Sequence, residues 1–342
     1  MNYKVVAIDL AKNIFQVCAL DENHKVKINK KVSRNKLLDT LRNMEPTLIV
    51  MEACYSANPW GRAIEKLGHT VKLIPPYMVK PFVIGNKNDH NDALAVAEAA
   101  LRPKMRFVPV KTLEQQDVQS LQRIRARLIK QRTAVSNQLR GLLSEYWIVV
   151  PKGLGQLRSH IPDILEDGEQ PLTHTARRFI DRLHTELLGL DNEISSVELE
   201  MFSILSHNED YKLLQSIPGI GPMIAAAFVA SVGSAHHFKN GRNMAAWIGL
   251  TPKGHSSGDK QQIGGISKRG NRELRRLLIH GARTVMNWAE KKTDALSLWI
   301  KELSKRAQPC KVIVALANKL ARIAWAVLAY KKPYSVEMAC KA

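Results

Sequence analysis

The order of apolar runs in the N-terminal third constrains the fold more than any other feature of the sequence. Strands are predicted at residues 4–9, 14–20, 25–32, 47–51 and 70–74. Helices are predicted at residues 34–44, 59–67 and 91–101. Three strands, a helix, a strand, a helix and a strand is the order expected of an RNase H-like (RuvC-like), mixed α/β domain. A Rossmann-type sheet also alternates strands with helices, but the Gly-x-Gly-x-x-Gly turn after its first strand is missing here.

Four acidic residues stand where these elements begin or end. Asp9 ends the first predicted strand and Glu52 directly follows the fourth, and these two strands are neighbours in an RNase H-like sheet. Asp89 and Asp92 are three residues apart, so in a helix they share one face. Each acid alone could cap a turn or a helix. Phosphoryl transfer on nucleic acids is commonly driven by two Mg²⁺ ions about 4 Å apart, held by carboxylates. Together the four acids therefore predict a site for Mg²⁺, or for Mn²⁺ in its place.

The charge of the chain indicates a polyanionic partner. Lys and Arg outnumber Asp and Glu by 51 to 31, which gives a formal charge of +20. Basic side chains that neutralise phosphates release counterions and so favour binding to nucleic acid. A basic protein without a nucleic-acid role is the alternative.

The other composition signals concern redox state and location. The four cysteines are far apart, and His236 and His237 are adjacent rather than at ligand spacing, so neither a disulfide framework nor a zinc site is predicted. The N-terminus has no signal-peptide pattern, and we expect no apolar run to span a bilayer. The sequence predicts a reduced, cytoplasmic protein with no membrane partner.

Two long apolar stripes follow the N-terminal region. They run from Leu121 to Leu142 and from Leu172 to Met201, and they predict an antiparallel helical hairpin or a coiled-coil face. The segment between them, 151–171, contains Pro and Gly and is predicted to be a connection. The first helix carries basic residues that could follow a phosphate backbone or could solvate an outer face; the candidates are Arg123, Arg127 and Lys130.

The last region is predicted to be mainly helical. Residues 216–222 resemble a helix-hairpin-helix turn, in which Gly219 and Gly221 would allow close approach of a phosphate; a structural tight turn is the alternative. A loop rich in Gly and Lys is predicted at 253–270, and a core helix at Lys311 to Tyr330. Between them, a basic helix starts near Asn271; its candidate nucleic-acid contacts are Arg272, Arg275 and Arg276. We expect domains at 1–110, 111–205 and 206–342.

The acidic series and several ordered motifs resemble one known family. Asp9, Glu52, Asp89 and Asp92 are similar to the Asp-Glu-Asp-Asp tetrad of the insertion-sequence transposases of the one-hundred-and-ten family, which include the pilin-gene invertases. Further motifs resemble its eleven-eleven subgroup, at residues 51–54, 60–62, 85–93, 217–221, 249–252 and 264–270. These motifs follow the family's order over nearly the whole chain.

The resemblance implies a domain organisation and a nucleophile. It implies a RuvC-like domain, a coiled-coil region and a C-terminal transposase domain whose serine attacks a DNA phosphate and forms a covalent phosphoserine. That serine maps to Ser257, before Gly258, with Ser256 as its rival. Asp259 stands at the position where members of the subgroup often have a second glycine. Lys260 and Lys268 could neutralise the scissile phosphate or be solvated surface lysines, and Arg269 is a further candidate contact.

The resemblance also implies partners. A noncoding bridge RNA would pair with donor and target DNA. The protein would form a homo-oligomer, from dimer to tetramer, in which the carboxylates of one subunit face the serine loop of another.

Two other functions fit parts of this pattern. A metal-dependent nuclease of the Holliday-junction-resolvase type would use the same carboxylates with water as the nucleophile. A nucleic-acid-binding protein with vestigial carboxylates would perform no chemistry. The complete acidic tetrad and the two further domains favour the recombinase.

Overall fold

A computed structural model of the chain describes residues 2–86, 88–103, 105–257 and 260–336; residues 255–257, 260 and 261 are described by their backbone alone. The chain forms two compact units, Met1–Leu113 and Glu114–Ala342. Each unit has a hydrophobic core of its own.

The N-terminal unit is built on a five-stranded mixed sheet. Its strands are β1 (Val5–Asp9), β2 (Ile14–Leu20), β3 (Val26–Ser33), β4 (Leu48–Glu52) and β5 (Thr70–Ile74). Their order across the sheet is β3-β2-β1-β4-β5. The first three strands pair antiparallel, whereas β1 with β4 and β4 with β5 pair parallel. The sequence predicted all five strands, and the observed bounds of β2 and β5 are those predicted.

Helices cover both faces of this sheet. They are α1 (Leu37–Arg42), α2 (Ala57–Glu65), α3 (Pro76–Val79) and α4 (Asp89–Ala100). Alternate residues of β1 enter two separate cores: Val6 and Ile8 pack with residues of α1 and α2, whereas Val5 and Ala7 pack with α4. Burial on both faces explains why β1 and β4 are continuous apolar runs rather than alternating ones.

The second unit is mainly helical. Its helices are α5 (Leu113–Ser144), α6 (Leu154–Glu166), α7 (His174–Leu205), α8 (Glu209–Gln215), α9 (Pro222–Val232), α10 (Gly241–Ile248), α11 (Arg272–Ala289), α12 (Ala295–Ser304) and α13 (Pro309–Tyr330). A two-stranded antiparallel hairpin, β6 (Pro252–Ser257) and β7 (Lys260–Ile266), precedes α11. The sequence prediction of a loop over 253–270 is therefore wrong for these strands. Few apolar side chains alternate there, so the strand signal was absent.

The long helices α5 and α7 run antiparallel. Arg125 Nε lies 2.5 Å from Glu198 Oε1, and Arg132 Nη1 lies 2.9 Å from Asp191 Oδ1. Seven residues forward on α5 therefore correspond to seven residues backward on α7. Apolar side chains pack between these two ion pairs and beyond them. The segment predicted as a connection contains α6, whose Arg158 adds a second guanidinium 2.6 Å from Asp191 Oδ2.

The helix α13 is long and apolar enough, by length and composition alone, to span a membrane. The expectation that no apolar run has the length to span a bilayer is therefore wrong for this helix. Half of its apolar stretch is buried inside the protein. Leu316, Leu320 and Ala324 lie fully buried in the core that α8 to α13 share. Packing in a helical core accounts for its apolar character, as the sequence predicted for this segment.

A close backbone contact joins α11 to the turn before α9. A Cβ atom built on Gly281 would lie 2.1 Å from the carbonyl oxygen of Gly219, and Gly219 itself has a φ of +82°. We predict that Gly281→Ala destabilises the protein by about 1–3 kcal/mol, because the helix must move away from the turn. The measurement is the free energy of unfolding in denaturant.

The control for this substitution is Gly189→Ala in α7. A Cβ atom there meets nothing within 4 Å, and alanine favours a helix over glycine by up to about 1 kcal/mol. Gly189→Ala should therefore leave the protein equally stable or slightly more stable. Equal stability of the Gly281→Ala variant and the wild type would contradict the close contact.

Candidate active site

Two of the predicted acids emerge side by side from the sheet. Asp9 is the last residue of β1 and Glu52 the last residue of β4. The parallel register pairs Ile8 with Met51, so the next positions along both strands are Asp9 and Glu52. Because side chains alternate along a strand, Asp9 continues the face of Val5 and Ala7. Glu52 likewise continues the face of Val50, and this is the face that α4 covers.

The other two acids lie in the first turn of α4. This helix begins at Asp89, two residues before its predicted start, because the side chain of Asn88 caps it by accepting a hydrogen bond of 2.8 Å from the Asn91 amide. Asp89 is exposed and Asp92 is half-buried. Carboxylates at this end of a helix also interact favourably with its dipole.

Contacts with β3 locate this first turn relative to the sheet. Lys31 Nζ lies 4.0 Å from Asp89 Oδ2, and the Asn29 side chain donates to the His90 carbonyl over 3.1 Å. Lys31 is the register partner of Gln16, and Gln16 is the register partner of Asp9. The start of α4 therefore lies at the edge of the sheet where Asp9 and Glu52 emerge, and all four predicted acids share one end of one face.

The four acids do not form a closed cage. In the part of the chain that the structure describes, no three acidic, histidine or cysteine side chains converge so as to hold one ion. The donor set nevertheless fits a hard divalent cation, because carboxylate oxygens are the ligands that Mg²⁺ takes. Gln16, the register partner of Asp9, is buried, and its amide oxygen Oε1 has no described hydrogen-bond partner.

The candidate nucleophiles lie at the end of the β6–β7 hairpin. Ser257 pairs with Lys260 and Ser256 pairs with Gln261, so both serines and Lys260 are close to the tip. Gly258 and Asp259 lie outside the described residues. The structure thus puts the predicted serines at the end of a paired strand instead of in a long loop.

A basic pocket of about 1340 Å³ lies at the base of this hairpin. It is lined by residues of β6, β7 and α13, by Leu250 and Lys268 on either side of the hairpin, and by Trp299 of α12. The described lining residues include no acid, whereas the cations among them are Lys253, Lys268, Lys311, Lys319 and Arg322. Lys319 Nζ lies 5.0 Å from the centre of the Trp299 ring. The pocket therefore has the charge to hold phosphate groups.

The basic residues of α5 separate into two groups that the sequence did not distinguish. Arg125 and Arg132 form the ion pairs with α7. Arg123, Arg127 and Lys130 are exposed, and their spacing of four and three residues puts them on one face of the helix. Arg123 and Arg127 bond to glutamines of their own helix, Gln119 and Gln131. These three candidates thus form an exposed basic strip.

The two glycines of the predicted turn differ in surroundings. Gly219 is half-buried against Gly281 of α11, so packing alone requires a glycine there. Gly221 is exposed and forms the N-cap of α9, and a Cβ atom added to it would meet nothing within 4 Å. The exposed start of α9 at Gly221 is the part of this turn that a phosphate could approach.

The basic residues around the start of α11 also differ. Lys268, Arg269, Arg272 and Arg276 are exposed, and Arg276 pairs with Glu273 at 2.5 Å. Arg275 is only 8% exposed, and its Nη1 donates to the carbonyl oxygens of Ile248 at 2.8 Å and Arg269 at 3.3 Å. Burial, with a smaller contribution from Arg272, lowers the pKa of Arg275. The expectation that Arg275 contacts nucleic acid is corrected by this burial, because it faces α10 instead of solvent.

Comparison with known proteins identifies two family regions in the chain. The DEDD transposase model of the IS110 type matches residues 6–148, and the model of the IS116/IS110/IS902 transposase family matches residues 211–297. The first region contains all four predicted acids, and the second contains the hairpin and α11.

Named relatives match over nearly the full chain. The transposase for insertion sequence element IS1111A of Coxiella burnetii is 46% identical over 97% of this chain and 91% of its own length. The transposase for insertion sequence element IS1328 of Yersinia enterocolitica is 37% identical over 95% of this chain and 97% of its own. The pilin gene-inverting protein of Moraxella bovis is 23% identical over 98% of both chains.

The two kinds of arginine near α11 should respond differently to substitution. We predict that Arg275→Met lowers the free energy of unfolding by about 1–3 kcal/mol, since two backbone carbonyls lose a buried donor. Arg272→Met should leave stability unchanged, because Arg272 is exposed. It should instead weaken DNA binding and reduce the salt slope of the binding constant by about one.

The measurements are denaturant unfolding and DNA titration at several salt concentrations, with both variants in parallel. Loss of DNA affinity at unchanged stability in Arg275→Met would show that the guanidinium serves nucleic acid and would refute the structural role.

Proposed function

Since the chain belongs to the IS116/IS110/IS902 family of insertion-sequence transposases, we propose that it cuts and rejoins DNA through a phosphoserine intermediate, guided by a bridge RNA. The neighbouring positions of Asp9 and Glu52, with the first turn of α4 at the same edge, are the observation that supports its metal-dependent chemistry. The phosphoserine and the bridge RNA rest on the family resemblance. The strand order β3-β2-β1-β4-β5 is the order of an RNase H-like sheet and supports that assignment for the N-terminal unit.

In the proposed reaction the Ser257 hydroxyl attacks a DNA phosphorus atom. A serine oxygen–phosphorus bond forms and a phosphorus–deoxyribose oxygen bond breaks; the serine proton leaves and the departing oxygen gains a proton. One phosphodiester replaces another, so rejoining needs no ATP. A serine hydroxyl is a weak nucleophile and requires activation. Asp9, Glu52, Asp89 and Asp92 would hold Mg²⁺, which when bound would supply charge stabilisation for that exchange.

Nucleic acid would bind along the exposed basic surfaces of the second unit. The strip of Arg123, Arg127 and Lys130 offers three cations on one helix face. The pocket at the base of the hairpin offers five more without an acid among its described lining. With a formal charge of +20, the chain has cations for both donor and target DNA and for RNA. We propose a cytoplasmic homo-oligomer, from dimer to tetramer, and we base the subunit number on the family resemblance.

Covalent trapping tests the nucleophile. Full-length protein is incubated with its bridge RNA, Mg²⁺ and labelled donor and target DNA, beside Ser257→Ala, Ser256→Ala and Asp92→Asn. We predict a protein–DNA adduct that survives denaturation in the wild type and in Ser256→Ala. The adduct should be lost in Ser257→Ala and in Asp92→Asn.

Other outcomes would change the assignment. DNA cleavage without an adduct, unaffected by Ser257→Ala but lost in Asp92→Asn, would contradict the phosphoserine mechanism and support the resolvase-type nuclease. An adduct lost only in Ser256→Ala would move the nucleophile by one residue.

A further inference from the structure

One polar side chain in the core of the N-terminal unit has an unsatisfied atom. Gln16 in β2 is 4% exposed, and among the described residues its Oε1 atom has no hydrogen-bond partner. Buried polar atoms in folded proteins are nearly always bonded, and an exception indicates a missing water or ion, or a functional role. No sequence motif singles out this residue, although it is the polar residue within an otherwise apolar strand.

The hydrogen bonds around Gln16 fix which of its two amide atoms is unpaired. The His90 carbonyl can only accept, so the Asn29 side chain presents its Nδ2 to it, at 3.1 Å. The Oδ1 atom of Asn29 is then left to accept a hydrogen bond, and it accepts from Gln16 Nε2 at 2.6 Å. The Gln16 nitrogen is thereby committed to Asn29, and its oxygen is the unpaired atom.

The position of Gln16 in the sheet puts it beside the acids. Its register partner in β1 is Asp9, and its partner on the other side, in β3, is Lys31. Directly opposed residues of antiparallel strands have Cβ atoms about 5 Å apart on the same face. The amide nitrogen is bonded to Asn29 on β3, so the amide oxygen is the atom of Gln16 that is available to a ligand shared with Asp9.

An unpaired acceptor on the register partner of Asp9 suits a cation that both residues could share. Two acceptors cannot bond to each other, whereas a divalent cation takes both amide and carboxylate oxygens as ligands. The described acidic side chains do not supply three convergent ligands by themselves. An amide oxygen from β2 would increase the number of oxygen ligands without adding negative charge.

We propose that Gln16 Oε1 is a neutral oxygen ligand of the divalent cation, and that Asn29 and the His90 carbonyl hold it in position. This assignment rests on the cation site of the proposed function. It makes β2 a third strand of that site, beside β1 and β4, and it connects the ligand to the first turn of α4.

Titration of the metal-free, full-length protein with Mn²⁺, with free Mn²⁺ measured by electron paramagnetic resonance, tests this role without relying on catalysis. Gln16→Met keeps the size of the side chain and removes its polar atoms, so the Kd for Mn²⁺ should rise at least about tenfold. Gln16→Glu keeps an oxygen at the same place and should bind Mn²⁺ at least as tightly as the wild type does.

The matched control is Cys18→Ala. Cys18 lies two residues along β2, on the same face and buried under α4. It is a neutral packing residue, so Cys18→Ala should leave the Kd for Mn²⁺ unchanged. Circular dichroism of each variant checks that it is folded.

The outcomes separate this inference from the proposed function. Mn²⁺ binding that is lost in Asp9→Asn but unchanged in Gln16→Met would overturn the role of Gln16 alone. If Gln16→Met does not fold, a further result would also overturn the ligand role of Gln16. That result is Mn²⁺ binding that is weakened equally in Gln16→Glu and in Cys18→Ala. A wild type that takes up no Mn²⁺, or binding that survives in Asp9→Asn, would overturn both the cation site and the Gln16 ligand.

Discussion

The parallel pairing of β1 with β4 is the interaction on which the candidate active site depends. Its register, with Ile8 beside Met51, is held by burial on both faces of the sheet. A slip of one residue would turn every side chain of a strand to the opposite face. The same hydrophobic burial that selects this register therefore also decides that Asp9 and Glu52 emerge together beneath α4.

The helix α4 adds the remaining acids to this edge. Its buried residues are mostly alanines, which let the helix lie close against the sheet. The Asn88 cap and the Asn29 contact then fix where its first turn begins and where it rests. In this way packing in the core, rather than attraction among like charges, brings four carboxylates to one end of one face. A divalent cation can stabilise carboxylates that a rigid fold holds together despite their like charge.

The sequence predicted the parts of the structure that hydrophobic periodicity or charge spacing encodes. The five strands and the long helices α5, α7, α11 and α13 follow from such patterns. The β6–β7 hairpin was missed because its residues carry no apolar alternation, and α6 was missed because Pro162 and the neighbouring glycines suggested a connection. The burial of Arg275 and the unpaired oxygen of Gln16 depend on contacts between distant segments, which no local pattern shows. The division into three domains, the serine nucleophile and the guide RNA stay predictions.

The proposed chemistry requires a divalent cation at the edge formed by β1, β4 and the start of α4. Anomalous diffraction from crystals of the full-length protein bound to DNA and Mn²⁺ would locate that cation. We expect an anomalous peak within coordination distance of the carboxylates of Asp9 and Glu52. A well-ordered complex whose Mn²⁺ peaks lie elsewhere, with no peak at these two carboxylates, would contradict the cation site.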